Sequence, residues 1–546
     1  MRKNSFMEGA FIATFAIFLV KIMGILYVIP FYSLVGLKGA ILYGYAYSIY
    51  VVFLNLSTGG IPIAVSKAVS EYNTMGYYNL KEKIYKISAI LMVSVGFVSF
   101  LTLFAFAPAL ASTILGQLEG GNTIEEVTLV IRVVSTALLI VPLLSVTKGY
   151  LQGHKFIYPS SVSMLLEQVL RVTVIILGSY IVVNLLGYSI ETGVAIAVFG
   201  ATLGALFAYL YLAYKIKTNK ESLLRDQPLT REEAKTSNKQ LIKLIISYAL
   251  PFIFIDILKS SFHIIDTLTV VSTMVSLGNS ELAEVTVGVI TSLGSKLNMI
   301  IISISIGITV SLVPNIASSF VKKNFEDINR KINQTLQAIL FVGLPMTIGL
   351  FFLVQPAWVV FYSYDETSIA IFSMFVFQAL VFSIFSILIK IFQTMNNTKV
   401  AIGTLLAVFA TKAMLNIPAM NLFNNLNWPI YYAPITLTLI LQGVGIVFLL
   451  KMLNIKYDFK FGKYSQNYIK IAIITAMMFI ILRIFNLFIP ITAVTKSAAL
   501  LELIAFILIG GISYLIITFK SGLIYDVFGK PFIDKILSKL VVFQRK

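Results

Sequence analysis

Ionisable side chains interrupt the long apolar stretches of this sequence, where a charge is costly. Near the centre of a bilayer one charge costs about 2.5–3.5 kcal/mol, so such residues usually face a cavity or a partner and are candidates for function. Bases outnumber acids among them, which favours binding of an anion such as a phosphate group. The bases are Lys21, Arg132, Arg171, Lys259, Lys296, Lys412 and Arg483; the acids are Glu167, Asp256, Asp266 and Glu502; the histidine is His263.

One apolar stretch, "FIFIDILKSSFHIIDTLTV" at 252–270, carries four of these residues. On a helix with about 100° per residue, Asp256, Lys259, His263 and Asp266 fall within about 80° of arc and form one stripe. We expect the stripe to face a cavity, with Lys259 meeting the anion. Two roles for the aspartates stay open, since they could hold Na⁺ or a proton, or could balance Lys259. His263 could respond to protons or be an ordinary packing residue.

The other charges differ in whether a neutralising partner lies nearby in sequence. Glu167 and Arg171 are four residues apart, so they share a helix face and can pair. Arg132 could snorkel at the end of its helix, and Arg483 and Glu502 could pair with each other. Lys21, Lys296 and Lys412 have no acid three or four residues away, which favours a cavity role. The predicted anion site therefore comprises Lys21, Lys259, Lys296, Lys412 and Arg171, and the predicted coupling or charge-balancing residues are Asp256, Asp266, Glu167 and His263.

The composition tells which elements must carry these charges. The chain has 546 residues, of which 58% are hydrophobic and 12% charged, whereas soluble domains have roughly 45–50% and 25%. We therefore predict an all-α polytopic membrane protein. The absence of cysteine excludes disulfides and zinc–thiolate sites. The net charge of +18 is expected in cytoplasmic loops rather than in a nucleic-acid surface.

Helices of about 20 apolar residues are needed to cross a bilayer, and the sequence offers fourteen such spans. Lys and Arg concentrate in alternate loops, which predicts that both termini are cytoplasmic. The predicted spans are 8–33, 40–70, 84–112, 127–147, 157–184, 192–214, 242–275, 285–320, 332–354, 367–391, 400–420, 430–450, 466–488 and 497–519.

Short matches six spans apart predict an internal repeat. The "PIAVS" run at 62–66 resembles "PNIAS" at 314–318, and aligning Gln152 with Gln393 places Arg171 and Lys412 at the same offset. Two six-helix lobes would then be related by a pseudo-twofold axis along the membrane normal. The predicted organisation is a first lobe at 1–216, a linker loop at 217–241, a second lobe at 242–453, a helix pair at 454–520 and an amphipathic basic tail at 521–546.

Prolines and glycines interrupt three of the predicted spans and mark candidate hinges, since sharp helix bends usually occur at such residues. The interruptions lie in the first, second and eighth spans. The candidate hinge residues are Pro30, Gly59, Gly60, Pro62 and Pro314.

Three segments carry a resemblance to a known family: "KIMGILYVIPFYSLVG" (21–36), "STGGIPIAVSKAVSEYNTMGYY" (57–78) and "VIRVVSTALLIVPLLSVTKGYLQGHKFIYPSSVSMLLEQVLRV" (130–172). They resemble the polysaccharide exporters of the MOP (multidrug/oligosaccharidyl-lipid/polysaccharide) superfamily. More narrowly, they resemble the MurJ-type lipid II flippases of Gram-positive bacteria and their SpoVB-like relatives. The family's basic positions fall on Lys21 and on Lys296 or the adjoining Ser295, with lysine where arginine is frequent.

The resemblance implies a transporter rather than an enzyme. A central cationic cavity would carry undecaprenyl-pyrophosphate-linked lipid II from the inner to the outer leaflet by alternating access, with the last helix pair forming a groove for the lipid tail. Another lipid-linked polysaccharide or teichoic-type unit, or a MATE-type drug or cation antiport, stays open as an alternative. The expected location is the bacterial cytoplasmic membrane, and the expected partners are membrane lipids and enzymes of cell-wall synthesis. We expect a monomer without a cofactor or metal, driven by the membrane potential, H⁺ or Na⁺.

Overall fold

All regular structure in the described part of the chain is helical, which confirms the predicted fold class. The computed structural model describes residues 19–58, 60–116, 121–154, 156–219, 236–303, 323–395 and 397–528, and the single positions 16, 223, 233, 316, 319 and 320. The side chains of residues 74, 251, 252, 256, 259, 260 and 463 lie outside this description. The described residues fall into two compact units, Met1–Leu293 and Gly294–Lys546.

The first unit contains nine α-helices that have complete described bounds, preceded by helical residues 19–26. A 3₁₀ segment, Thr136–Leu139, and three π-helical segments, Val174–Gly178, Ile181–Leu185 and Val289–Leu293, extend these helices. The helices are α1 (Val28–Thr58), α2 (Ile61–Met75), α3 (Tyr78–Leu115), α4 (Ile124–Ser135), α5 (Val141–Gly153), α6 (Ile157–Thr173), α7 (Ile190–Thr218), α8 (Asn238–Ser276) and α9 (Ser280–Gly288).

The second unit contains nine further α-helices with described bounds and two 3₁₀ segments, Ile430–Tyr432 and Gly462–Tyr464. The helices are α10 (Phe325–Phe352), α11 (Val354–Phe361), α12 (Glu366–Phe375), α13 (Phe377–Thr394), α14 (Thr398–Asn425), α15 (Ala433–Tyr457), α16 (Ser465–Phe488), α17 (Lys496–Lys520) and α18 (Leu523–Phe528).

Thirteen helical stretches in the described residues are long and apolar enough to cross a membrane, so the chain is a multi-pass membrane protein. The first of them, Leu19–Asn73, has 55 residues; a straight helix of that length would extend about 80 Å, far beyond a bilayer core of about 30 Å. Gly36 breaks it with φ 66° and ψ −169°, between the first two predicted spans. The count of fourteen spans stays a prediction.

Close backbone contact at glycines fixes the packing of the first unit. A Cβ at Gly149 would lie 2.6 Å from the carbonyl oxygen of Pro62, and one at Gly153 would lie 2.8 Å from that of Ser66, so α5 and α2 pack tightly. Helix α8 packs against α1, α2 and α3. The residues at 242–293, predicted to open the second lobe, thus belong to the first compact unit; the lobe boundaries stay a prediction.

The predicted hinges lie at real breaks where they are described. Gly60 adopts a left-handed conformation (φ 69°) before α2, and Pro62 lies in the first turn of α2, where its missing N–H costs no helical hydrogen bond. Pro30 follows the interruption at Tyr27, in the first turn of α1. Gly59 and Pro314 lie outside the described residues, as does the predicted tail beyond Phe528. The break at Gly36 was not among the predicted hinges.

The last two long helices close the core of the second unit. Phe341 of α10 packs with Met478 and Leu482 of α16 and with Phe506 and Tyr514 of α17. Arg483 and Glu502, which could have paired with each other, have other partners. Glu502 instead accepts hydrogen bonds from the backbone N–H groups of Thr492 and Ala493, and Arg483 lies over the rings of Phe352 and Phe479.

Candidate functional site

Three charged side chains meet in the first unit. The helical spacing of α6 brings Arg171 Nη2 within 3.1 Å of Glu167 Oε1, which confirms the predicted pair. Lys148 of α5 contributes a second cation, with its Nζ 2.8 Å from Glu167 Oε2. The three side chains are 15–18% exposed. We call Lys148, Glu167 and Arg171 the charged triad; two cations and one carboxylate leave it with a net positive charge.

Tight packing of α7 against α6 positions this triad. A Cβ at Gly204 would lie 2.5 Å from the carbonyl oxygen of Glu167, and one at Gly200 would lie 3.0 Å from that of Arg171. Only glycine allows the two backbones to approach this closely. The chain after Arg171 then continues through the π-helical segments at Val174–Gly178 and Ile181–Leu185, an irregularity that is frequent at functional sites.

A cluster of tyrosines on α1 lies in the neighbourhood of Arg171. The rings of Tyr43 and Tyr47 stack with centroids 5.8 Å apart, and those of Tyr47 and Tyr50 are also 5.8 Å apart. All three lie close enough to Arg171 to interact with it electrostatically. Sequence reasoning missed this cluster, although the spacing of positions 43, 47 and 50 places the residues on one helix face. It also missed Lys148 as a partner of Glu167.

The first described helical segment, at residues 19–26, approaches α6 near the triad. A Cβ on Gly24 would lie 3.7 Å from Nε2 of Gln168, which follows Glu167 directly. Lys21 precedes Gly24 by about one helical turn and is partly exposed. The structure therefore brings the helices of two predicted anion-binding residues, Lys21 and Arg171, into contact.

The predicted stripe on α8 is described only in part. Asp266 is 7% exposed and His263 is half-buried, while the side chains of Asp256 and Lys259 lie outside the described residues. Beside Asp266, the hydroxyl of Thr267 donates a 3.2 Å hydrogen bond to Ser48 of α1. This part of α8 thus packs on the first helices, and the direction of the whole stripe stays a prediction.

The remaining predicted cations lie in the second unit. Lys412 of α14 is fully buried, and its Nζ donates to Thr438 of α15. A role in binding substrate stays a prediction and would require the side chain to become exposed. Lys296 is partly exposed and immediately precedes Leu297.

An apolar cavity of about 390 Å³ lies within the second unit. Its lining includes Leu297 and Ile301, which follow Lys296 in the sequence. The cavity runs between α10 and the helix pair α16–α17. Gly510 and Gly511 of α17 contribute no side chain to its wall. Its lining suits a hydrocarbon chain rather than a polar ligand. Among the described residues, no group of three histidines and acids is arranged to hold a metal ion.

Comparison with known proteins identifies the family of the chain and agrees with its helical architecture. A family profile described as "Polysaccharide biosynthesis protein" matches residues 6–320, more than half of the chain. The chain belongs to this family. It is 33% identical over 424 residues to the lipid II flippase MurJ of Bacillus subtilis, covering 77% of this chain and 78% of the relative. It is also 24% identical over 345 residues to stage V sporulation protein B of the same organism, covering 63% and 64%.

Solved structures show the same fold for this family member. A structure titled "Lipid II flippase MurJ, inward closed conformation" aligns with a TM-score of 0.64 at 16% identity, covering 94% of this chain and 98% of the other. An inward-facing MATE transporter of the MOP superfamily aligns with a TM-score of 0.62 at 14% identity, covering 80% and 94%. The chain therefore has the MOP-superfamily fold, and its relatives are transporters rather than enzymes, as expected.

Proposed function

We propose that this protein is a flippase for an undecaprenyl-pyrophosphate-linked peptidoglycan precursor, lipid II, which it moves from the inner to the outer leaflet. The similarity to the Bacillus subtilis flippase over most of both chains supports this substrate. A lipid-linked diphosphate needs counter-charge for its head and an apolar path for its tail. In this proposal, alternating access through a cationic central cavity moves the head across the membrane.

The observation that carries the proposal is the position of Lys296 in the sequence, directly before an apolar cavity. The next residue, Leu297, lines this cavity together with residues of α10, α16 and α17. In the proposal, Lys296 meets the phosphate and the cavity holds the hydrocarbon chain. In the first unit, the helical segment that carries Lys21 approaches α6 through Gly24. Lys21, Lys259, Lys296 and Arg171 would supply counter-charge, and the α16–α17 side would hold the tail.

The membrane potential can drive such a cycle. An inside-negative potential favours outward movement of a net negative charge by about 2.3 kcal/mol per charge per 100 mV. The same potential favours return of an empty carrier whose mobile charge is positive. Asp256 and Asp266 are the proposed sites of any coupling to H⁺ or Na⁺.

Complementation of a lipid II flippase depletion tests the proposal. We expect the intact protein to restore lipid II in the outer leaflet, measured by external labelling or cleavage. The combined variant Lys21→Ala, Lys259→Ala and Lys296→Ala should lower this transport at least tenfold at equal membrane abundance. The matched control is Lys217→Ala, Lys399→Ala and Lys520→Ala, which removes three exposed lysines at helix ends.

Two results would contradict the proposal in different ways. Full transport by the first triple variant would exclude the cationic mechanism. If the intact protein is present in the membrane but restores no lipid II, another lipid-linked glycan must be the substrate, and labelled teichoic-type and polysaccharide units should then be compared.

A further inference from the structure

The charged triad has hydrogen-bonding capacity that the described protein does not use. Glu167 occupies Nη2 of Arg171, while Nε of Arg171 is buried without a hydrogen-bond partner among the described residues. The hydroxyl of Tyr50 is also buried without a hydrogen-bond partner among the described residues, and the Tyr50 side chain is 1% exposed. Leaving such buried groups without a partner is costly, so two such donors in one region of the first unit favour a ligand that accepts hydrogen bonds.

The charge of the surroundings specifies the ligand. Lys148 and Arg171 share the single carboxylate of Glu167, so the triad has one positive charge more than its acid neutralises. The tyrosines in the neighbourhood of Arg171, Tyr43, Tyr47 and Tyr50, add no acid that could balance this charge. A poorly solvated net charge is unfavourable unless it is paired. The ligand should therefore be an anion that accepts hydrogen bonds.

We propose that Arg171, Lys148 and Tyr50 form a binding site for a phosphate or diphosphate group within the first unit. Arginine presents a planar set of donors that matches phosphate oxygens, and lysine adds a point charge. The Tyr50 hydroxyl donates to the same group, and Glu167 holds the two cations in place. This inference rests on the proposed function, because it assigns the diphosphate of the lipid-linked substrate a contact at α5, α6 and α1.

The chain offers conservative variants that separate this site from simple packing. Tyr50→Phe removes the hydroxyl and keeps the ring, and Arg171→Lys keeps the charge and removes Nε. Tyr362→Phe is the matched control, because Tyr362 is also fully buried but lies in the second unit, where its ring packs against Trp358. Circular dichroism and gel filtration in detergent would show that each variant is folded.

Binding is measured by isothermal titration calorimetry on the purified full chain, with inorganic pyrophosphate and a short-chain prenyl diphosphate as separate probes. We expect Tyr50→Phe and Arg171→Lys to weaken binding at least tenfold, and Tyr362→Phe to change it less than twofold. Weakening for both probes means that the site accepts the diphosphate of a lipid. If the variants weaken the binding of pyrophosphate alone, the site takes a free anion.

Two outcomes would overturn the inference. One is that neither probe binds the intact protein. The other is that Tyr50→Phe and Arg171→Lys bind both probes as the intact protein does, in which case the unused donors contact only water. These measurements need no transport, so a failure of the proposed function in the lipid II assay would be seen separately from a failure of this site.

Discussion

At the scale of single residues, the sequence predicted the pairing of Glu167 with Arg171 but not that Lys148 joins them in the charged triad. Glu167 and Arg171 were found because a four-residue spacing places two side chains on one face. Lys148 is nineteen residues before Glu167, and no local rule connects positions at that distance. Lys412 shows the same limit of local sequence rules: its charge predicted a cavity role, which stays a prediction, but its burial and its hydrogen bond to Thr438 of α15 were not predicted.

Glu167 should stabilise the fold through the two cations that it neutralises. Replacing it as Glu167→Gln leaves Lys148 and Arg171 without their carboxylate, and removing one partner of a buried ion pair is strongly destabilising. Because the side chains are 15–18% exposed, we expect a loss of roughly 2–4 kcal/mol. Reversible unfolding in detergent, followed by circular dichroism, measures it.

The control for this variant is Asp526→Asn, which breaks the Lys470–Asp526 pair, whose side chains are 42% and 48% exposed. Pairs of this kind contribute about 0–1 kcal/mol. Equal effects of the two substitutions would show that the triad is no more important for stability than a surface pair.

At the scale of the helices, hydrophobic length predicted most elements well. Predicted span 466–488 is observed as Ser465–Phe488, and predicted span 497–519 as Lys496–Lys520. The break at Gly36 falls between the first two predicted spans, although Gly36 was not named as a hinge. The π-helical segments after Arg171 were not predicted, because their residues are as apolar as those of the regular turns around them.

The contact between α6 and α7 offers a test of how packing positions the triad. At an unconstrained helical position, alanine is more favourable than glycine by about 1 kcal/mol. At Gly204 the new Cβ would lie 2.5 Å from the carbonyl oxygen of Glu167, so the helices must move apart. We expect Gly204→Ala to destabilise the protein by about 1–3 kcal/mol, the usual range for overpacking.

Gly403→Ala is the control for this variant, since a Cβ at Gly403 in α14 meets no atom within 4 Å. It should be neutral or slightly stabilising in the same unfolding measurement. A Gly204→Ala protein as stable as the control would mean that α6 and α7 can separate freely and that their contact does not fix the triad.

At the scale of the whole molecule, side-chain contacts connect α8 and α9 to the preceding helices at three positions along their length. Near its start, the Tyr248 hydroxyl donates to Glu71, and Lys67 lies over the Tyr248 ring. Near its middle, Thr267 donates to Ser48. Beyond its end, at the predicted outer side, Glu284 of α9 accepts from Tyr45 and from the backbone and side chain of Asn122.

The residues that make these contacts differ in burial. Glu284 is 9% and Asn122 3% exposed, whereas the side chains of Lys67 and Glu71 are 56% and 39% exposed. Hydrogen bonds to a buried carboxylate are stronger than those of exposed groups, so the contact at the predicted outer side should be the firmer one. Sequence periodicity could not reveal this, because Asn122 and Glu284 are 162 residues apart.

If alternating access requires α8 and α9 to separate from α1, weakening the Glu284 contacts should favour the outward-open state. The substitution Glu284→Gln removes the charge and keeps the size. Because the chain contains no cysteine, Ser48→Cys provides a single reporter at a buried position of α1. Labelling of this reporter in intact cells by a membrane-impermeant maleimide should rise several-fold in Glu284→Gln. Glu281→Gln, an exposed acid on the same helix, should leave labelling unchanged; equal labelling of all three proteins would show that Glu284 does not hold the outer side closed.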